Sequence, residues 1–141
     1  MIAVLLFVIL ILIIERLTIR MSKYPFEMRN SAVHGRGVFA TRRIAKDEII
    51  EHVPVILFDP QDIKEGTILK DYDIHYDDYK LAMMFGYGAI YNHSFENNAA
   101  WNFKDDKTLL ITANRDIECD EEIFVNYGPN YWLARPQLNP S

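Results

Sequence analysis

Glu122-Ile-Phe-Val-Asn-Tyr127-Gly128-Pro-Asn-Tyr131-Trp132 is the stretch around which the rest of the chain is organised. Ile123, Val125 and Tyr127 alternate with Phe124 and Asn126 as along a half-buried strand, and Gly128-Pro129 then stops the strand and turns the chain. A phenol is thereby placed at a strand end. About thirty residues earlier stands Asn92-His93-Ser94, entered through an apolar run from Phe85 to Tyr91. The two stretches are read together below.

The chain has 141 residues, half of them hydrophobic. That suffices for one domain burying roughly two thirds of its unfolded surface. Cys119 is the only cysteine, so neither an intrachain disulfide nor a thiolate zinc cluster can form. His34, His52, His75 and His93 lack metal-ligand spacing, and no metal is expected. The net charge of −5 argues against direct nucleic-acid binding, which requires a basic face. Between Asp59 and Asp78 seven carboxylates face only Lys64 and Lys70. This segment reads either as a solvated acidic loop or as a field that attracts a basic peptide.

Residues 1–20 stand apart. Met1 to Ile14 is an unbroken apolar run followed by Glu15-Arg16, Arg20 and Lys23. Fourteen helical residues reach about 21 Å, short of the roughly 30 Å hydrocarbon core, and extension through Leu17 and Ile19 nearly spans it. Basic residues follow the run instead of preceding it, and no small-residue cleavage site ends it, so a cleaved signal peptide is not expected. Two readings stay open. One is a membrane anchor with the remainder of the chain facing the cytoplasm; the other is a true start at Met21, with a nuclear or cytoplasmic protein.

From Tyr24 onward the pattern is of short apolar pieces separated by turns. Tyr24 to Met28 alternates and reads as an edge strand. His34-Gly35-Arg36-Gly37 is a glycine-bounded turn, followed by Val38-Phe-Ala40; in isolation it reads first as an ordinary hairpin turn and second as a place where the backbone can approach a ligand. Ile49 to Phe58 predicts one or two core strands, with Pro54 at a bend or edge. Leu81 to Tyr91 predicts a short buried helix giving way to extended chain. Trp101 to Phe103 and Thr108 to Ala113 flank a polar turn and predict a hairpin.

Four pieces now stand in one order: Gly35-Arg-Gly37 with Val38-Phe-Ala40; Asn92-His-Ser94 with Asn98-Ala99; Ala113-Asn-Arg-Asp-Ile117; and Glu121-Glu-Ile-Phe-Val-Asn-Tyr-Gly128. The ordered set resembles the signatures of SET-domain protein-lysine methyltransferases, over about residues 24 to 134. With the ending Tyr131-Trp132-Leu-Ala-Arg-Pro136 it looks most like the minimal stand-alone, viral-type members. The resemblance implies a mainly β fold with small curved sheets, little helix and a C-terminal pseudoknot, in a domain taken as residues 24–136 with a tail at 137–141. It also implies methyl transfer from S-adenosylmethionine to a protein lysine, with a histone tail as the leading substrate.

By that resemblance Tyr127 is the catalytic residue. Gly35, Arg36, Gly37, Asn92, His93 and Trp132 bind the cofactor and Val125 belongs to the lysine channel; Tyr72, Tyr91 and Tyr131 are further channel candidates, although with eight tyrosines in the chain core packing is the stronger reading for any one of them. The compact members point to a homodimer. A catalytically inactive binding or membrane-tethered scaffold of the same fold is the alternative, disfavoured by the retention of both Tyr127 and Asn92. Three departures from the family pattern bear on geometry. Asn97 replaces the usual proline and Asp120 the usual glycine. Val125 stands where relatives carry a Phe or Tyr that limits methylation number, so di- or trimethylation is expected. Asn92-His-Ser94 also fits the N-glycosylation acceptor pattern, but its apolar approach argues for burial.

Overall fold

The computed structural model describes residues 2–21 and 23–135; Met1, Ser22, Pro136 and the tail 137–141 lie outside the described residues. Among the described residues nine strands and two α-helices follow in order. They are α1 (Ile2–Met21), β1 (Phe26–Asn30), β2 (Arg36–Ala40), β3 (Ile49–Phe58), β4 (Asp73–His75), β5 (Leu81–Met84), β6 (Asn92–His93), β7 (Ala99–Phe103), β8 (Thr108–Ala113), β9 (Phe124–Val125) and α2 (Pro129–Ala134). The strands form a β1-β2 hairpin, a five-stranded sheet in the order β4-β5-β3-β8-β7, and a parallel pair β6-β9.

β3 holds the fold together because it serves two partners in succession. Residues 49–54 pair with β8 on one side and residues 55–58 with β5 on the other. Pro54 sits at the handover. A proline has no N–H to give a ladder, and here only its carbonyl is used, by Phe85 N–H at 2.9 Å. A register shift between Ile49 and Glu51 turns two consecutive residues, Ile50 and Glu51, into the core. That is the usual effect of a bulge. Val53 and Val55 follow inward, against Leu109, Ile111 and Ala113 of β8.

Leu81–Met84 is a strand, not the short helix its sequence predicts. Four apolar residues cannot repay helix nucleation, whereas as β5 they are paired on both sides, to β3 and to β4. The glycines beyond explain the rest. Gly86 takes φ +66°, and a Cβ on Gly88 would lie 2.4 Å from Val53, so the chain can pass flush against β3 only as glycine.

The acidic segment forms two 3₁₀ turns, Pro60–Asp62 and Ile68–Asp71, before β4. Much of its charge is spent internally: Asp59 pairs with Lys80 at 3.0 Å, Glu65 with Lys70 at 3.1 Å, and Asp73 with Arg135 at 2.9 Å. The field offered to a basic peptide is therefore weaker than the sequence count implies.

α1 presents Val4 to Ile14 as exposed side chains. These cover about 16 Å of helix. Among the described residues no helix is long and apolar enough to cross a membrane, so of the two readings of residues 1–20 the membrane anchor finds no support there.

Candidate active site

The decisive crossing brings residues 122–127 beside residues 92–98. β6 and β9 pair in parallel through only Asn92↔Phe124 and His93↔Val125. Two pairs cannot fix a register, and side chains complete it. Asn98, 1 % exposed, accepts from Phe124 N–H at 2.8 Å and donates to the Glu122 carbonyl at 2.8 Å. His93 Nδ1 accepts from Tyr127 N–H at 3.1 Å.

Tyr127 ends this stretch half-buried, with its hydroxyl donating to the Tyr91 carbonyl at 2.7 Å. Its ring stacks on Trp101 at 5.7 Å and 10°, and meets Tyr131 at 4.7 Å and 61°. Burial raises its pKa, and the neighbouring Tyr131 and Tyr72 phenols push the same way, so it stays protonated at neutral pH. A pocket of about 130 Å³ opens at this ring, walled by Trp101, Phe103, Tyr127 and Tyr131, with Asp73 and Arg135 at its side. A broader cleft of about 640 Å³ adjoins it and shares Asp73, His75 and Arg135.

On the other side of Tyr127 the expected cofactor residues gather around Asn92. Its amide nitrogen lies 3.1 Å from the His34 carbonyl, 3.2 Å from the Arg36 carbonyl and 2.8 Å from Glu122 Oε1. It thereby ties the 34–37 turn to β6. Glu122 also accepts from Ser31 Oγ at 2.9 Å. A Cβ on Gly37 would stand 2.1 Å from Glu122 Oε1, so any larger residue would force that carboxylate to shift, while Gly35 holds φ +49°. The expected close approach at Gly37 is thus made by a carboxylate of the same chain.

His93 and Trp132 are neighbours, with ring centroids 4.8 Å apart. Burial lowers the His93 pKa. Because Nδ1 accepts a hydrogen bond, the neutral ring carries its proton on Nε2. His93 Nε2 and Trp132 Nε1 are both buried without a hydrogen-bond partner. Such orphaned donors are rare in a folded protein. They fit a ligand that offers ring acceptors at this place, as the adenine of S-adenosylmethionine does.

The remaining expected residues are placed differently. The Tyr91 side chain turns into the core, its hydroxyl donating to Glu51 at 2.9 Å, so it contributes its carbonyl and not its ring. Val125 is fully buried in the core and is not on the wall of the 130 Å³ pocket. Tyr72, 43 % exposed, is near enough to act on the Tyr127 and Tyr131 pKa values but does not line the pocket. The Arg36 side chain is exposed. Trp101, Phe103, Glu122, Asp73 and Arg135 are site residues the sequence did not single out. Signals exist for three of them: Glu122 lies in the Glu121-Glu122 signature, Asp73 in the acidic segment, and Trp101 is an isolated tryptophan within a strand.

Residues 35–128 match the SET domain family model. A histone-lysine N-methyltransferase of Schizosaccharomyces pombe, specific for H3 lysine-37, is 31 % identical over 114 residues, covering 77 % of each protein. The crystal structure of a Plasmodium falciparum protein assigned as a histone methyltransferase superposes with a TM-score of 0.67 at 31 % identity, covering 79 % of this chain and 99 % of the other. The chain belongs to the SET-domain family of protein-lysine methyltransferases.

Proposed function

We propose that the protein methylates a lysine in a histone tail, binding S-adenosylmethionine around Asn92, His93 and Trp132 and the lysine in the pocket beside Tyr127. The observation that carries this is the Tyr127 hydroxyl, held on the Tyr91 carbonyl at 2.7 Å at the head of an aromatic pocket. The relative named for H3 lysine-37 makes histone H3 the first acceptor to test.

S-adenosylmethionine, when bound, supplies an activated methyl group. The protein has to deliver a neutral amine in line with it. Trp101, Phe103 and Tyr131 wall off water, which favours loss of the lysine proton, since desolvation penalises the charged form. Tyr127 is not the base, because its own pKa is raised. With its proton committed to the Tyr91 carbonyl, its oxygen presents lone pairs that accept from the amine and aim the nitrogen. The Asn92 amide keeps the 34–37 turn in place, and His93 and Trp132 would hold the cofactor through their unpartnered N–H groups.

The full chain is incubated with labelled S-adenosylmethionine and separate core histones, with Tyr127→Phe in parallel. Transfer to a histone is expected, with kcat about 100-fold lower in the variant and cofactor affinity unchanged within about twofold. Equal turnover by the variant refutes the role of Tyr127. Label appearing only on other proteins refutes the histone assignment.

A further inference from the structure

α2 carries Tyr131 on the lysine pocket and Trp132 on the cofactor side, yet it is six residues long. Helices well below about 12 residues are not stable alone. Its placement therefore depends on what grips it. Arg135, directly after its last turn, is 7 % exposed and pairs through Nη2 with Asp73 of β4 at 2.9 Å. Both side chains are only 8 % exposed. Arg135 Nε lies 3.5 Å from Asp71 Oδ1, and the guanidinium sits 4.2 Å from the Tyr131 ring centroid. The Tyr131 hydroxyl reaches the Asp71 carbonyl at 3.2 Å. One cation thus binds the acidic segment and, in the same position, packs against the aromatic wall of the lysine pocket.

We infer that Asp73 and Arg135 are positioning residues: their buried ion pair fixes α2, and with it Tyr131 and Trp132, over both halves of the active site. The pair lines both the 130 Å³ pocket and the 640 Å³ cleft. A buried pair contributes little net stability, but removing one partner strands a desolvated charge. The acidic segment consequently has a structural task at the site beyond any attraction of substrate. The inference takes the SET-type site above as its frame and does not depend on which histone is the acceptor.

The test uses the full chain, with D73N, R135K, R135Q and D73N/R135Q. D73N keeps size and one acceptor oxygen, and R135K keeps the charge, so the test survives if R135Q does not fold. Three quantities are read: S-adenosylmethionine affinity, the emission maximum of Trp132 in a W101F background, and kcat and KM on core histones. The unfolding midpoint by circular dichroism identifies the folded variants. Each folded single variant is expected to weaken cofactor binding about tenfold and shift the Trp132 emission to longer wavelength. The double variant is expected to be no worse than the weaker single, because the two act as a unit. Unchanged affinity and emission in folded D73N and R135K would overturn the inference, as would losses that multiply in the double variant. A wild-type protein that methylates no histone yet loses cofactor affinity on D73N would refute the histone substrate and leave the positioning role standing.

Discussion

Gly37→Ala tests the cradle at its tightest point. The added Cβ would lie 2.1 Å from Glu122 Oε1, 2.8 Å from its Cδ and 3.1 Å from Asn92 Nδ2. The carboxylate has to retreat by about 1.3 Å to reach ordinary contact distance, where repulsion ends and dispersion begins. That retreat breaks its hydrogen bonds from Asn92 at 2.8 Å and Ser31 at 2.9 Å. Bonds to a charged acceptor contribute about 1.5–3 kcal/mol each, so the expected loss is about 3 kcal/mol or more. Urea unfolding measures it directly. Titration with S-adenosylmethionine should show at least about tenfold weaker binding, because Asn92 loses the shortest of its three contacts. Gly35→Ala is the control: it meets nothing within 4 Å and bears only the cost of φ +49°, about 1 kcal/mol. Glu122→Ala in the Gly37→Ala background clears the space and should recover part of the stability. A Gly37→Ala protein within about 0.5 kcal/mol of wild type, or a double variant no more stable than Gly37→Ala, would refute the reasoning.

Asp120 stands in the left-handed region at φ +69°, held by an exposed ion pair with Arg29 at 2.7 Å. Asp120→Gly should relieve more strain than the pair contributes and raise the urea midpoint by the equivalent of about 0.5–1 kcal/mol; a lowered midpoint would show that the pair dominates. Burial raises the Glu51 carboxyl above its ordinary value of 4.5, against the opposing hydrogen bonds from Tyr91 and Tyr87. The folded state then holds this proton more tightly than the unfolded one, so its contribution is complete below the ordinary value and is lost as pH rises through the folded value. Glu51→Gln removes that loss and should gain stability relative to wild type as pH rises from 4 to 7, measured by unfolding at matched ionic strength; a gap that stays constant or narrows contradicts the shift.

How far the site could be read from the sequence depended on whether a residue's role is local. Tyr127, Asn92 and His93 lie in short contiguous signatures, and the Trp101–Phe103 and Thr108–Ala113 hairpin announced itself through alternation around a polar turn. Leu81–Met84 misled because four apolar residues have no usable period, and their strand is decided by partners in β3 and β4. Val125 shares the inward face with Tyr127, as alternation requires, but that face meets the core at Val125 and the pocket only at Tyr127. Trp101 lies 26 residues before Tyr127, and Asp73 62 before Arg135. No spacing rule connects such pairs before the chain has crossed itself.

On the inference drawn above, closing the site falls to an ion pair. These 141 residues hold one cysteine, exposed at position 119, so no thiolate zinc cluster can close the site. A structural zinc contributes about 10–16 kcal/mol to the segment it organises. A buried ion pair comes near to breaking even, its Coulomb gain offset by desolvation. Closure by Asp73 and Arg135 is therefore directional more than strong. It specifies where α2 sits, through a fixed guanidinium geometry against one carboxylate and one ring, while the aromatic contacts of Trp132 with His93 and of Tyr131 with Tyr127 supply the adhesion.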